Sequence, residues 1–139
     1  MLYCWHQKAA PPPRPWAGYA AQIFVVANLI VLDTNVLIDL LEATPRGQEA
    51  KQLLESMDAS TVIGYSLITR FELLATPEVA HHQRAHTLLE ALKPIGLSQP
   101  IIDRAAELFV SRYSRQRRKI PDALIAATAI ESGAALLTL

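Results

Sequence analysis

Short apolar runs alternate with stretches of helical periodicity along most of this 139-residue chain. The first clear run, Leu29–Leu32, consists of leucine and β-branched residues and is typical of a strand that is covered on both faces. Further strands are predicted at 61–65, 94–97 and 134–139. Strands that alternate with helices favour an α/β domain in three layers, in which a central parallel sheet is flanked by helices.

The intervening segments carry the spacing and the end signals of helices. Ser66 is a suitable N-cap, Pro121 suits the first turn of the last helix, and Gly133 suits its end. Helices are predicted at 34–41, 48–57, 67–74, 85–92, 101–109 and 121–132.

Composition restricts the class of protein only broadly. Thirteen basic residues balance thirteen acidic ones, so any preference for nucleic acid must come from local clusters of charge. The single cysteine, Cys4, excludes an internal disulfide framework and fits a reducing cytoplasm.

The beginning of the chain differs from the rest. Residues 1–22 contain four prolines, two Lys or Arg residues and no acid, which predicts a flexible extension before a single domain at 23–139. The nearly apolar stretch 16–32 is shorter than the roughly 20 residues of a spanning helix. The main interpretation is a buried strand behind an upstream extension, for which a misassigned start codon is one explanation. A membrane tether is the alternative.

Three acids occupy positions suited to chemistry. Asp33 directly follows the first strand, Glu72 lies on the helix after the second strand, and Asp122 lies in the first turn of the last helix. Parallel sheets bind ligands at the carboxyl ends of their strands, and converging carboxylates require a cation such as magnesium to neutralise them. Taken singly, each acid is better explained as a helix cap or a solvated side chain than as a metal ligand, because caps and solvated acids are commoner.

The segments around these acids are more specific than the acids themselves. They read DTNVLID at 33–39, SLITRFELL at 66–74 and IPDALIAATA at 120–129. These segments resemble the three signature motifs of PIN-domain nucleases, and their order and separation resemble those of VapC-type toxins from type II toxin-antitoxin systems. The resemblance covers residues 29–139.

The resemblance implies a cytoplasmic, metal-dependent endoribonuclease. Asp33 and Asp122 carry over as magnesium ligands, with manganese as the alternative ion, and Glu72 completes the cage or positions the attacking water. A homodimer and a small antitoxin that blocks the acidic site are implied as well, without any membrane association. Asp39 is not carried over, since an acid well inside the first helix is better explained as solvated or locally bonded.

One departure from the family motif leaves an alternative open. Family members continue past the Leu-Leu-Thr strand into an asparagine and a fourth acid, whereas this sequence stops at Leu139. Either the chain is truncated at its C-terminus or its site works with three acids. The alternative function is a catalytically inactive module that binds RNA or an antitoxin.

Basic side chains precede the last acid. Five cations lie within eight residues and are expected either to neutralise RNA phosphates or to form a solvated loop: Arg112, Arg115, Arg117, Arg118 and Lys119. Arg70, beside Glu72, is a lesser candidate. His81, His82 and His86 lack a third ligand of suitable spacing and are interpreted as exposed helix histidines rather than a zinc site.

Overall fold

The structure is a computed structural model that describes residues 2–4, 28–75, 79–111 and 119–139. Within them the chain forms strands β1 (Leu2–Cys4), β2 (Leu29–Leu32), β3 (Val62–Ser66), β4 (Lys93–Ile95) and β5 (Ala135–Leu137). The helices are α1 (Thr34–Glu42), α2 (Pro45–Glu55), α3 (Leu67–Leu74), α4 (Val79–Glu90), α5 (Gln99–Ser111) and α6 (Ile120–Glu131).

The strands form one sheet in the order β1-β5-β2-β3-β4. β5, β2, β3 and β4 are parallel, and they place Leu32 beside both Tyr65 and Leu137 in register. The residues that follow these three positions therefore emerge at one edge of the sheet. This edge receives Asp33, Ser66 and Thr138.

Side chains that alternate along β2 divide the core between two faces of the sheet. Ile30 and Leu32 belong to a cluster with buried side chains from α1, α2 and α4, whereas Val31 packs with Ile125 and Ala129 of α6. α5 packs on α6 through a third cluster that includes Ile101 and Ala127. The predicted three-layer α/β fold with a central parallel sheet is confirmed.

Several elements depart from the sequence analysis, among them α4, which begins at Val79, six residues before its predicted start. Leu2–Cys4, placed within the extension expected to be flexible, pair antiparallel with β5 and extend the sheet at its edge. Backbone pairing to an open edge requires no side-chain periodicity, so the pattern gave no sign of it. α2 begins at Pro45, because Thr44 caps it through a bond from Gly47 N to Thr44 Oγ1 (3.0 Å) and proline tolerates the first turn.

The proposed membrane tether involves residues that lie mainly outside the described part of the chain. Among the described residues, none of the helices combines the length and the apolar character needed to cross a bilayer.

Candidate active site

Asp33 is held at the carboxyl end of β2 by contacts to both of its carboxylate oxygens. It is the N-cap of α1, and its Oδ1 accepts a hydrogen bond from Thr34 N at 2.7 Å. Its Oδ2 accepts from Thr138 Oγ1 at 2.9 Å, and its backbone N–H donates to Leu137 O at 2.9 Å. The half-buried carboxylate is therefore fixed by β2, α1 and the end of β5 together.

Glu72 reaches the same edge of the sheet from α3. Its carboxylate is half-buried, and its Oε2 accepts a hydrogen bond from Thr34 Oγ1 at 2.5 Å. Thr34 thus contacts Asp33 through its backbone N–H and Glu72 through its hydroxyl. This bridge brings together two of the three acids that the sequence analysis selected.

Buried hydroxyl groups lie among the elements that carry these acids. Thr34 Oγ1 is 3.4 Å from Thr69 Oγ1, and Thr128 donates from Oγ1 to Leu124 O at 2.7 Å and contacts Ser66 Oγ at 3.0 Å. Ser66, Thr69 and Thr128 are fully buried. Because buried polar groups are costly unless paired, these contacts favour one arrangement of α1, α3, α6 and β3. Their role was not predicted from the sequence, although hydroxyl side chains within apolar segments were a usable signal.

Asp122 occupies the first turn of α6, and its side chain is exposed. α6 packs against α3, the helix that carries Glu72. Across the described ranges, no three His, Cys, Asp or Glu side chains form a group that could hold a metal ion. The structure therefore joins Asp33 and Glu72 but does not include Asp122 in a compact three-acid group.

Most of the predicted RNA-binding cations belong to the segment before α6. Arg112, Arg115, Arg117 and Arg118 lie outside the described residues. Lys119 is exposed at the N-cap position of α6, three residues before Asp122, and its side chain makes no capping hydrogen bond.

The histidines differ from the expectation of an exposed set. His86 is exposed, but His81 is 8% exposed, and its Nε2 has no hydrogen-bond partner among the described residues. The expectation was wrong for His81 because successive helical residues point in different directions, which turns neighbouring side chains towards different environments. Asp39 behaves as interpreted, since its Oδ1 accepts a local hydrogen bond from Thr44 Oγ1 at 2.7 Å.

Comparison with known proteins identifies the family of this chain. Residues 30–139 match the PIN domain family, and the chain belongs to that family. It is similar to a solved toxin-antitoxin complex from Klebsiella pneumoniae, with 34% identity, a TM-score of 0.64, and coverage of 78% of this chain and 84% of that one. No match occurs among curated protein sequences.

Two further solved structures share the fold at lower identity. VapBC2 from Rickettsia felis, bound to a promoter DNA fragment, has 20% identity and a TM-score of 0.60 over 76% of this chain and 83% of that one. VapC20 from Mycobacterium tuberculosis, described as a Sarcin-Ricin loop cleaving toxin, has 22% identity and a TM-score of 0.59 over 76% and 84%. The resemblance to the PIN-domain family, which rested on three motifs, is confirmed by the family match, and the similarity to a toxin-antitoxin complex and to two solved VapC-containing structures agrees with the VapC-type resemblance.

Proposed function

We propose that this chain is a metal-dependent endoribonuclease and the toxin of a type II toxin-antitoxin pair. The observation that carries the proposal is the Thr34 bridge, which holds Asp33 and Glu72 together at the carboxyl edge of the sheet. Membership in the PIN domain family and the similarity to a toxin-antitoxin complex support it.

The donor set fits a magnesium or manganese ion. Magnesium prefers hard oxygen ligands and is commonly bound through one or two carboxylates, with water completing its shell. Asp33 and Glu72 supply such oxygens, and each retains acceptor capacity beyond the hydrogen bonds described above. Asp122, an exposed acid in the first turn of α6, is proposed as a further ligand. When bound, the ion supplies charge neutralisation at the phosphate and lowers the pKa of water.

The chain's own side chains carry the other parts of the proposed reaction. The Asp33 carboxylate has a fixed orientation, because Thr34 N donates a hydrogen bond to its Oδ1 and Thr138 Oγ1 donates one to its Oδ2. Glu72, held by the Thr34 hydroxyl, is positioned to orient the attacking water or accept its proton. Lys119 and the basic residues 112–118 are proposed to bind the RNA backbone.

The remaining partners follow from the same proposal. The Klebsiella pneumoniae structure is described as a toxin-antitoxin complex, so a small cognate antitoxin is proposed to bind this chain and cover the acidic site. A homodimer and a cytoplasmic location complete the proposed assembly, with no membrane association.

Replacement of Asp33 by asparagine tests the activity. The variant keeps the size of the side chain but loses the negative charge, so we expect magnesium-dependent cleavage of RNA to fall by at least about 100-fold, a loss of roughly 2.7 kcal/mol of transition-state stabilisation. Asp58→Asn is the matched control, since Asp58 is an exposed acid in the loop before β3, at the opposite edge of the sheet.

The measurement is the rate of cleavage of a fluorescently labelled RNA with magnesium and with EDTA. An Asp33→Asn protein that cleaves as fast as the parent would refute the assignment of Asp33. A folded parent chain that binds RNA or antitoxin but never cleaves would instead support the inactive binding module.

A further inference from the structure

The packing that holds α6 in place is largely apolar. Its buried residues are Ile125, Ala127, Thr128 and Ala129, so Thr128 is the one polar member of the set. Apolar contacts gain free energy from buried area and have no directional preference, so they define the position of a helix less sharply than a hydrogen bond does. The position of α6 matters because its first turn carries Asp122.

Thr128 pairs with a second buried hydroxyl group, that of Ser66 at the end of β3. The two hydroxyl oxygens lie 3.0 Å apart, and both side chains are fully buried. Thr128 Oγ1 also lies 2.7 Å from Leu124 O, and Ser66 Oγ accepts a hydrogen bond from Ile68 N at 3.4 Å. A hydroxyl has one proton to donate and two lone pairs that accept. When Thr128 donates to Leu124 O and Ser66 donates to Thr128, both hydroxyl protons have an acceptor.

This Ser66–Thr128 hydroxyl pair joins two elements that carry proposed metal ligands. Ser66 is the N-cap of α3, which carries Glu72, and Thr128 lies on α6, which carries Asp122. A hydrogen bond between buried hydroxyl groups is directional, and a buried group left without a partner is costly. The pair therefore favours one position of α6 relative to α3.

Asp122 has no comparable restraint of its own. The carboxylates of Asp33 and Glu72 are held by hydrogen bonds. The side chain of Asp122 is exposed, and within the described part of the chain no hydrogen bond or salt bridge engages its carboxylate. Its position relative to the other two acids thus depends on where α6 lies.

The distances along the helices are large enough to matter for a metal site. Glu72 lies six residues after Ser66, and Asp122 lies six residues before Thr128. At about 1.5 Å per residue, each acid is roughly 9 Å along its helix from the hydroxyl pair. A rotation of α6 by about 10° around the pair would move the start of the helix by about 1.6 Å. Metal–ligand distances tolerate only about 0.2 Å, so such a movement would alter how Asp122 reaches a shared ion.

We propose that the Ser66–Thr128 hydroxyl pair sets the distance of Asp122 from Asp33 and Glu72, which makes Thr128 a positioning residue for the metal site. The exposed Asp122 side chain can change rotamer to reach an ion, while its backbone keeps the place that α6 gives it. This inference rests on the proposed function, because it requires Asp122 to be a metal ligand.

A role in stability alone is the competing explanation, and variants of both hydroxyl groups separate the two. Thr128→Val leaves the Ser66 proton without an acceptor and should lower the free energy of unfolding. A double variant, Ser66→Ala with Thr128→Val, removes both hydroxyl groups, so its stability loss should be smaller than the sum of the single losses. The link between α6 and α3 is absent in both proteins, so a positioning role predicts weak metal binding in both.

The experiment measures binding of Mn²⁺ to the purified chain by electron paramagnetic resonance, and urea denaturation in EDTA gives the stability of each variant. We expect Thr128→Val and the double variant to bind Mn²⁺ about 10- to 100-fold more weakly than the parent, the range for partners that orient metal ligands. Thr128→Ser keeps the hydroxyl group and should retain the parent affinity. Asp122→Asn gives the loss expected when the ligand itself is removed.

Thr87→Val is the matched control. Thr87 is an exposed residue of α4, and its Oγ1 donates to Gln83 O at 3.1 Å, which is the same bond to the carbonyl four residues back that Thr128 makes to Leu124. α4 carries none of the three proposed acids, so this variant should bind Mn²⁺ as tightly as the parent.

A Thr128→Val protein with the parent affinity for Mn²⁺, beside an Asp122→Asn protein that binds more weakly, would overturn the inference. So would equal weakening by the valine and serine variants, or an affinity that recovers together with stability in the double variant. If Asp122→Asn binds Mn²⁺ as tightly as the parent, Asp122 is not a ligand, and the inference falls with that part of the proposed function. Failure of the nuclease activity alone would look different: the parent would bind Mn²⁺ with the expected variant pattern but would not cleave RNA.

Discussion

Replacing Thr34 by valine removes the hydroxyl that holds Glu72 and leaves the volume of the side chain almost unchanged. Thr34 is only 8% exposed, so water has little access to the space that the hydroxyl leaves. The substitution deletes the 2.5 Å bond to Glu72 and the 3.4 Å contact with the fully buried Thr69. The bond from Thr34 N to Asp33 belongs to the backbone and persists.

The magnitude follows from the lost contacts. A hydrogen bond to a charged group contributes roughly 1.5–3 kcal/mol, and a buried polar group left without a partner costs about 1–3 kcal/mol. Glu72 is half-buried, so a hydrogen bond from water replaces part of the interaction that its carboxylate loses. We expect the free energy of unfolding to fall by about 1–3 kcal/mol. Loss of the group that orients a metal-binding carboxylate typically costs about 10- to 100-fold in activity, and we expect that loss here.

Two measurements check this expectation. Urea denaturation in EDTA gives the free energy of unfolding without the added stability that a bound metal confers. Magnesium-dependent RNA cleavage gives the functional loss. Thr34→Ser is the matched control, because serine keeps the hydroxyl and loses one methyl group, so it should retain cleavage at a stability cost of about 1 kcal/mol.

A Thr34→Val protein that cleaves RNA at the parent rate would refute this role of the Thr34 hydroxyl. Equal loss of cleavage in the serine and valine variants would also contradict it, since serine keeps the hydroxyl that is expected to hold Glu72.

Two further predictions concern the scaffold. Gly47→Ala should lower the melting temperature and the free energy of unfolding by at least about 2 kcal/mol, because an added Cβ would lie 2.0 Å from the backbone oxygen of Asp39. Gly96→Ala is the control: its added Cβ meets nothing within 4 Å, so the free energy of unfolding should stay within about 0.5 kcal/mol of the parent. The pKa of the exposed Asp58 is held below its ordinary 3.8 by hydrogen bonds from the Ser60 side chain and backbone, so Ser60→Ala should raise it in an NMR titration. Because the folded-state pKa of Asp58 is depressed, its carboxylate stabilises the folded state above pH 3.8, and this contribution is lost as the pH falls through the folded-state pKa. An unchanged pKa in the Ser60→Ala variant would exclude the Ser60 side chain as the cause.

Local sequence pattern predicted the fold well where each element carries its own signal. The apolar run of β2, the N-cap Ser66 and the position of Pro121 each report on a few adjacent residues, and the structure places strands or helices there. The order of elements then implied a parallel sheet, whose carboxyl edge receives Asp33. The DTNVLID, SLITRFELL and IPDALIAATA segments identified the family, which the match over residues 30–139 confirms.

The environment of each acid was decided only by tertiary structure. Thr138 reaches Asp33 from 105 residues away, and the Thr34 bridge to Glu72 spans 38 residues, so neither bond leaves a local trace in the sequence. The exposure of Asp122 and the burial of His81 likewise depend on how helices pack. Periodicity reports which face of an element is apolar, whereas hydrogen-bond partners depend on which distant elements meet that face.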